Sequence, residues 1–208
     1  MKAAYYPILK WKQGEQAALQ GLGDHIKDKI CPVIEVRNDA KSCRELYATL
    51  DHCWKRRPFI IDYADPSGLL IDRRMELMSE LLCRIEGNND DCLMFCLWLK
   101  MIETGDLDQI IDRVKRLNQP MCIRIQGKCD NLLQGILRLK FIYEKYAIDP
   151  SKVILLLDSK TSPLKVDTDQ DLLAKALSSE HVKSHYAVVM ASGACVFWPK
   201  VNTRSGFK

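Results

Sequence analysis

Tyr5-Tyr6-Pro7-Ile8-Leu9-Lys10-Trp11-Lys12-Gln13-Gly14-Glu15 is a short apolar run that ends in charge and glycine, then opens a helical pattern near Glu15. Such a stretch reads as a strand that delivers polar groups to a strand-to-helix turn. Ala18, Leu19 and Leu22 continue the helical spacing, and Gly23 stops it. The arrangement then repeats. Cys31 to Arg37 is a second strand, followed by a helix capped at Asn38 or Asp39 and amphipathic through Cys43, Leu46, Tyr47 and Leu50. Pro58 to Tyr63 is a third strand, and the Asp65-Pro66-Ser67-Gly68 loop leads into a helix carrying Leu70, Met75, Leu77, Met78, Leu81 and Leu82.

Cys92 to Trp98 is continuously apolar, as strands buried on both faces are, and Asp106 to Leu117 reads as its helix. Pro120 to Ile125 is a fifth strand. The helix from Asp130 to Tyr146 is expected to bury Leu132, Leu133, Ile136, Leu137 and Phe141 on one face. Val153 to Leu157 is a sixth strand ending at Asp158, and the helix after it carries Leu172, Leu173, Ala176 and Leu177. His185 to Ala191 is a seventh strand.

Strands alternating with helices call for a parallel sheet with right-handed crossovers. Two folds compete: a (β/α) TIM-barrel-like domain, which needs roughly 200–250 residues and eight units, and an open doubly wound sheet. Each strand ends in polar residues and no glycine-rich dinucleotide loop follows the first, which favours the barrel. Seven clear strand-helix units are expected in residues 1–193. Residues 194–208 are expected to form an irregular tail or, through Val196, a final strand. An incomplete, open barrel would expose the edges of its first and last strands, and an oligomer or a missing carboxyl-terminal segment would have to cover them.

Composition sets outer bounds. Hydrophobic residues at 47% and charged ones at 28% suit a globular core. The net charge of +4 is dispersed, and Lys55-Arg56-Arg57 is a short basic run that fits a solvated helix end better than a nucleic-acid footprint. No leader or membrane-spanning pattern is present, so a cytoplasmic location is expected. The nine cysteines are odd in number and lack the spacings of structural zinc sites; several fall in strands, where Cys acts as a small hydrophobe.

The opening stretch Tyr6 to Glu15, Ala18-Leu19 behind it, and Pro32-Val33-Ile34-Glu35 at the next strand resemble the start of the phage T4 beta protein family. Val188-Val189-Met190-Ala191-Ser192-Gly193 is similar to that family's late strand, with the usual Ser-Phe-Pro continuation replaced by Ala194 to Pro199. The resemblance implies a phage or prophage origin and a chain matching the barrel-like portion of longer members, and it implies no activity.

Parallel strands share one carboxyl-terminal rim, where barrel active sites lie. That rim collects Lys10, Lys12, Glu35, Arg37, Asp62, Asp65, Lys100, Arg124, Gln126, Asp158, Lys160 and Ser192. Glu35, Asp62, Arg124 and Asp158 sit in apolar strand contexts where an unpaired charge costs several kcal/mol, so they should pair or hold a ligand. Lys10 with Glu35 and Arg124 with Asp158 are the expected pairs. One reading is an ion-pair plug. Another is an enzyme: Glu35, Asp62 and Asp158 are candidate catalytic residues and candidate ligands of a divalent cation such as magnesium. Lys10, Lys12, Arg37, Arg124, Lys160 and Ser192 would then bind a small anionic or phosphorylated ligand, in a metal-assisted hydrolase or with one carboxylate as general base. No histidine falls at a strand end, and no Ser-His-Asp set is visible. The other class is a non-catalytic protein that binds a host or phage macromolecule, protein or nucleic acid, through Lys55-Arg56-Arg57 or the tail residues Lys200, Arg204 and Lys208.

Overall fold

The computed structural model describes residues 5–36, 43–63, 71–88, 92–159, 169–178 and 188–192. Strand β1 (Ile8–Lys10) is followed by helices α1 (Gln13–Gly21) and α2 (Asp24–Lys27). Then come β2 (Val33–Glu35), α3 (Cys43–Trp54), β3 (Phe59–Asp62) and α4 (Ile71–Asn88). β4 (Leu93–Trp98) is followed by two helices, α5 (Leu99–Thr104) and α6 (Asp108–Arg116), and then by β5 (Met121–Gln126) and α7 (Cys129–Tyr146). A 3-10 turn at Pro150–Lys152, β6 (Val153–Asp158), α8 (Asp169–Ser178) and β7 (Val188–Ser192) complete the order. The described chain thus holds six strand-plus-helix units and a seventh strand. The helix of a seventh unit and the Val196 segment lie outside the described residues.

All seven strands are parallel, and their spatial order is their sequence order. A doubly wound sheet must reverse direction at a switch point, and this one does not. With every crossover running the same way, the helices cover one face. That face joins Ile34, Phe59, Ile61, Phe95, Ile123 and Leu155 to Trp54, Leu81, Ile111 and Ile136 in the large core. The other face carries a smaller cluster of Cys31, Val33, Ile60, Met94, Cys96, Cys122, Ile154 and Leu156, and can be dry only if the sheet curls round it.

The inner cluster is buried, so the sheet curls over it as a concave, half-barrel layer. Arg124 on β5 bonds Glu35 on β2 across this concave face at 2.9 Å. β1 and β7 are its outer strands, and they do not pair with each other among the described residues.

Three local expectations need correction. The chain enters α5 directly from β4, because Leu99, Met101 and Ile102 are all buried there, and Gly105 (φ 84°) ends the helix in the left-handed conformation. The first helix begins at Gln13 and not near Glu15, so Glu15 lies in its first turn, where its charge favours the dipole. In α7 the buried stripe is Leu132, Ile136, Leu139, Tyr143 and Tyr146, while Leu137 and Phe141 are 66% and 67% exposed. The helix has two apolar stripes, and only packing against β5 chooses between them. Lys55 and Arg56, both at positive φ, turn the chain between α3 and β3, and Arg57 bonds Asp24 and Asp28 at 2.9 and 2.8 Å. No helix among the described residues is long and apolar enough to cross a membrane.

Candidate functional site at the carboxyl-terminal rim

Side chains alternate between the faces of a strand, so the last inward residue of each strand is decided by its register. Cα pairing aligns Lys10, Glu35 and Asp62 across β1 to β3, Trp98 with Arg124 across β4 and β5, and Gln126, Asp158 and Ser192 across β5 to β7. These positions lie above the inner cluster, at the ends from which the chain leaves for its helices.

Arg124 is the hub. Its Nε and Nη2 donate to Asp158 Oδ2, and its Nη1 donates to Asp62 Oδ2 and meets Glu35 Oε1. Gln126 Nε2 adds a bond of 2.8 Å to the same Asp158 oxygen, and Trp98 Nε1 donates to Asp62 Oδ1 at 2.8 Å. Asp62, Arg124 and Asp158 are buried, and Glu35 is only partly covered. Burial works against the Arg124 charge, and Asp62, Cys96 and Asp158 outweigh it, holding the guanidinium above its ordinary value. The Arg124 guanidinium also stands 5.2 Å from the centre of the Trp98 ring, and the Arg74 guanidinium from α4 stands 4.7 Å from it. The end of β6 is tied in by the Gly127 N–H, which donates to the Asp158 carbonyl at 2.9 Å.

The expected Arg124–Asp158 pair is therefore present, and it extends to two more carboxylates. The expected Lys10–Glu35 pair is not: Arg124 takes Glu35. Lys10 shares the inner face with Ile8 and is exposed, and Lys12 is exposed at the start of α1. Among the described residues no three of His, Cys, Asp and Glu are arranged to hold a metal ion. The guanidinium stands between Glu35, Asp62 and Asp158, where the expected cation would have gone. Arg37, Asp65 and Lys160 lie outside the described residues, as do Lys200, Arg204 and Lys208 of the tail. Ser192 is placed by its backbone beside Asp158. Lys100 lies on α5 and is exposed.

Two contributors were not singled out from the sequence. Trp98 could have been, since it is in phase with Met94 and Cys96 on the inward face. Arg74 falls three, four and seven residues before Leu77, Met78 and Leu81, so the helical period places it on the buried side of α4.

A family model described as Beta protein matches residues 5–200. No curated protein matches the chain in sequence. Among solved structures, the 3-dehydroquinate dehydratase of Aquifex aeolicus VF5 matches with a TM-score of 0.55 and 14% identity, over 93% of this chain and 90% of that one. Likeness at that identity concerns the fold alone.

Proposed function

The chain belongs to the Beta protein family, and we propose that it binds a small polar ligand at the carboxyl-terminal rim around Arg124. The observation that carries this reading is the convergence of β2, β3, β4, β5 and β6 on one constellation through Glu35, Asp62, Trp98, Arg124 and Asp158. Buried ion pairs are weak evidence for stability, because apolar side chains of similar volume often serve as well or better. Three carboxylates around one guanidinium are harder still to explain as packing, since they leave excess negative charge in a partly desolvated place.

The partly covered Glu35 would meet hydroxyl or amino groups of the ligand. A phosphate or carboxylate would be met by Lys10 and Lys12 at the open edge. Arg124, committed to its three carboxylates, orients Glu35 and is not the main anion clamp. Metal-assisted hydrolysis finds no support in this geometry, because the guanidinium stands in the cation's place. In the same reading further chain or a second copy joins β7 to β1 and completes the barrel around the rim.

The test is thermal stabilisation across a panel of phosphorylated and carboxylated small molecules. A ligand at 100 times its Kd contributes about 2.7 kcal/mol, which for a chain of this size is a rise of about 5–10 °C in Tm. Lys10→Met and Glu35→Gln are expected to abolish that rise. A panel that shifts nothing, or a shift that both variants keep, rules the reading out.

A second reading, a docking protein for a macromolecule, is favoured by a different surface. Leu137 and Phe141 on α7 and Leu172 on α8 are exposed at 66%, 67% and 49%, and the two helices pack side by side. Isolated exposed apolar residues need no explanation, but grouped ones mark contact surfaces. On this reading Leu137→Ser with Phe141→Ser removes a co-purifying partner that the rim variants retain. A partner held equally by the double variant excludes this surface.

A further inference from the structure

Charge at the rim is sorted by depth. Glu35, Asp62 and Asp158 form its centre, and Glu35 is the most open of them, its side chain 14% exposed against 1% and 7%. Glu35 meets Arg124 Nη1 through one oxygen only, and Asp62 takes that same nitrogen as its hydrogen-bond donor. Among the described residues nothing else meets the Glu35 carboxylate. Lys10, its neighbour in register, is exposed and leaves that carboxylate to Arg124.

At the strand exits the sign reverses. Lys12 and Lys128 occupy the N-cap positions of α1 and α7, each two residues beyond the end of its strand, and neither side chain makes a capping bond. Lysine is a poor choice there, because caps are best filled by Ser, Thr, Asp or Asn and the positive end of the helix dipole repels an ammonium. The charge that the dipole favours comes instead from Glu15 and Asp130 in the first turns. Helix stability therefore does not account for the two lysines. Lys10, Lys12 and Lys128 are all exposed, and none is ion-paired among the described residues.

We propose that the rim ligand is zwitterionic, with a primary ammonium at Glu35 and a phosphate or carboxylate held by Lys10, Lys12 and Lys128. This rests on the reading of the rim as a ligand site and narrows it. A hydroxyl would give Glu35 a hydrogen bond and leave its charge uncompensated in a partly desolvated place, whereas an ammonium supplies both. The ligand's anion does not go to Arg124, whose three guanidinium nitrogens are committed to carboxylates. It goes to the exposed lysines, and like-charge repulsion by Glu35 keeps the reverse orientation out. Lys10 and Glu35 are Cα partners on adjacent strands, which sets the ligand's two charges one strand spacing apart, about 5 Å.

The probes are two matched pairs, O-phosphoethanolamine with 2-hydroxyethyl phosphate and β-alanine with 3-hydroxypropanoate. Members of a pair differ only in amino group against hydroxyl, and each is titrated calorimetrically into the full-length chain. In at least one pair the amino compound is expected to bind about 10–100-fold more tightly, the worth of a charged hydrogen bond. Glu35→Gln should bring it down to the level of its hydroxy partner. Lys10→Met and Lys128→Met should weaken both members alike, and Lys140→Met, further along α7, should weaken neither. The comparison on the parent protein needs no variant to fold. Equal binding of the amino and hydroxy compounds by the parent, or a preference that Glu35→Gln keeps, overturns the zwitterion; the rim reading survives it if Lys10→Met still weakens both compounds. A parent that binds none of the four overturns both.

Discussion

Arg124→Met is expected to destabilise the protein by about 3–5 kcal/mol, the cost of leaving buried partners of an ion pair uncompensated. The variant keeps the apolar stem of the side chain, so the loss reports the charge, hydrogen bonds and packing of the guanidinium. Asp62 would keep the bond from the Trp98 indole and Asp158 the bond from the Gln126 amide, but both would lose the guanidinium. Urea unfolding measures the loss directly. Adding Asp62→Asn and Asp158→Asn to Arg124→Met is expected to recover much of it, since the stranded charges go with their partner. A single variant within about 1 kcal/mol of the parent would show that water reaches the cluster and that the rim is not the buried hub described above.

Gly135→Ala is the second large effect. Gly135 is buried in α7 where that helix lies on β5, and an added Cβ would stand 2.4 Å from Ile125 Cγ2 and 3.1 Å from Ile125 Cδ1 and Leu99 Cδ2. The nearest atom is a methyl on a β-branched side chain of the sheet, which has little freedom to move aside. Alanine is the better helix former by up to about 1 kcal/mol, and overpacking typically costs about 1–3 kcal/mol. The clash should win, with a fall in Tm of about 2–4 °C for each kcal/mol lost. Gly87→Ala in α4, where an added Cβ meets nothing within 4 Å, is the matched control and should be neutral or slightly stabilising. Equal behaviour of the two variants would mean that α7 can lift from the sheet at no cost.

Much of the site was legible before the fold was known. Glu35, Asp62, Arg124 and Asp158 stood out because a charge at the end of an apolar strand has to be satisfied by something, and all four meet in the structure. Their partners were less legible. Lys10 is adjacent to Glu35 in register, yet Arg124 reaches Glu35 from three strands away, because the curled sheet shortens that path and no sequence spacing encodes it. Trp98 falls in an apolar run, and its indole N–H acquires a polar role only through the nearby Asp62 carboxylate. The helical period places Leu137 and Phe141 in the core as readily as the stripe that is buried, because α7 satisfies it twice.

The order of strands and helices, the parallel sheet and the gathering of charge at one rim were determined by the sequence alone. Alternating apolar runs and helical periods, each closed by polar residues, leave few other ways to bury that much surface. Tertiary structure decided the rest: which stripe of α7 faces inward, and that one arginine serves three carboxylates. Each of these depends on distances between segments remote in the chain, and those distances are set by the curl of the sheet.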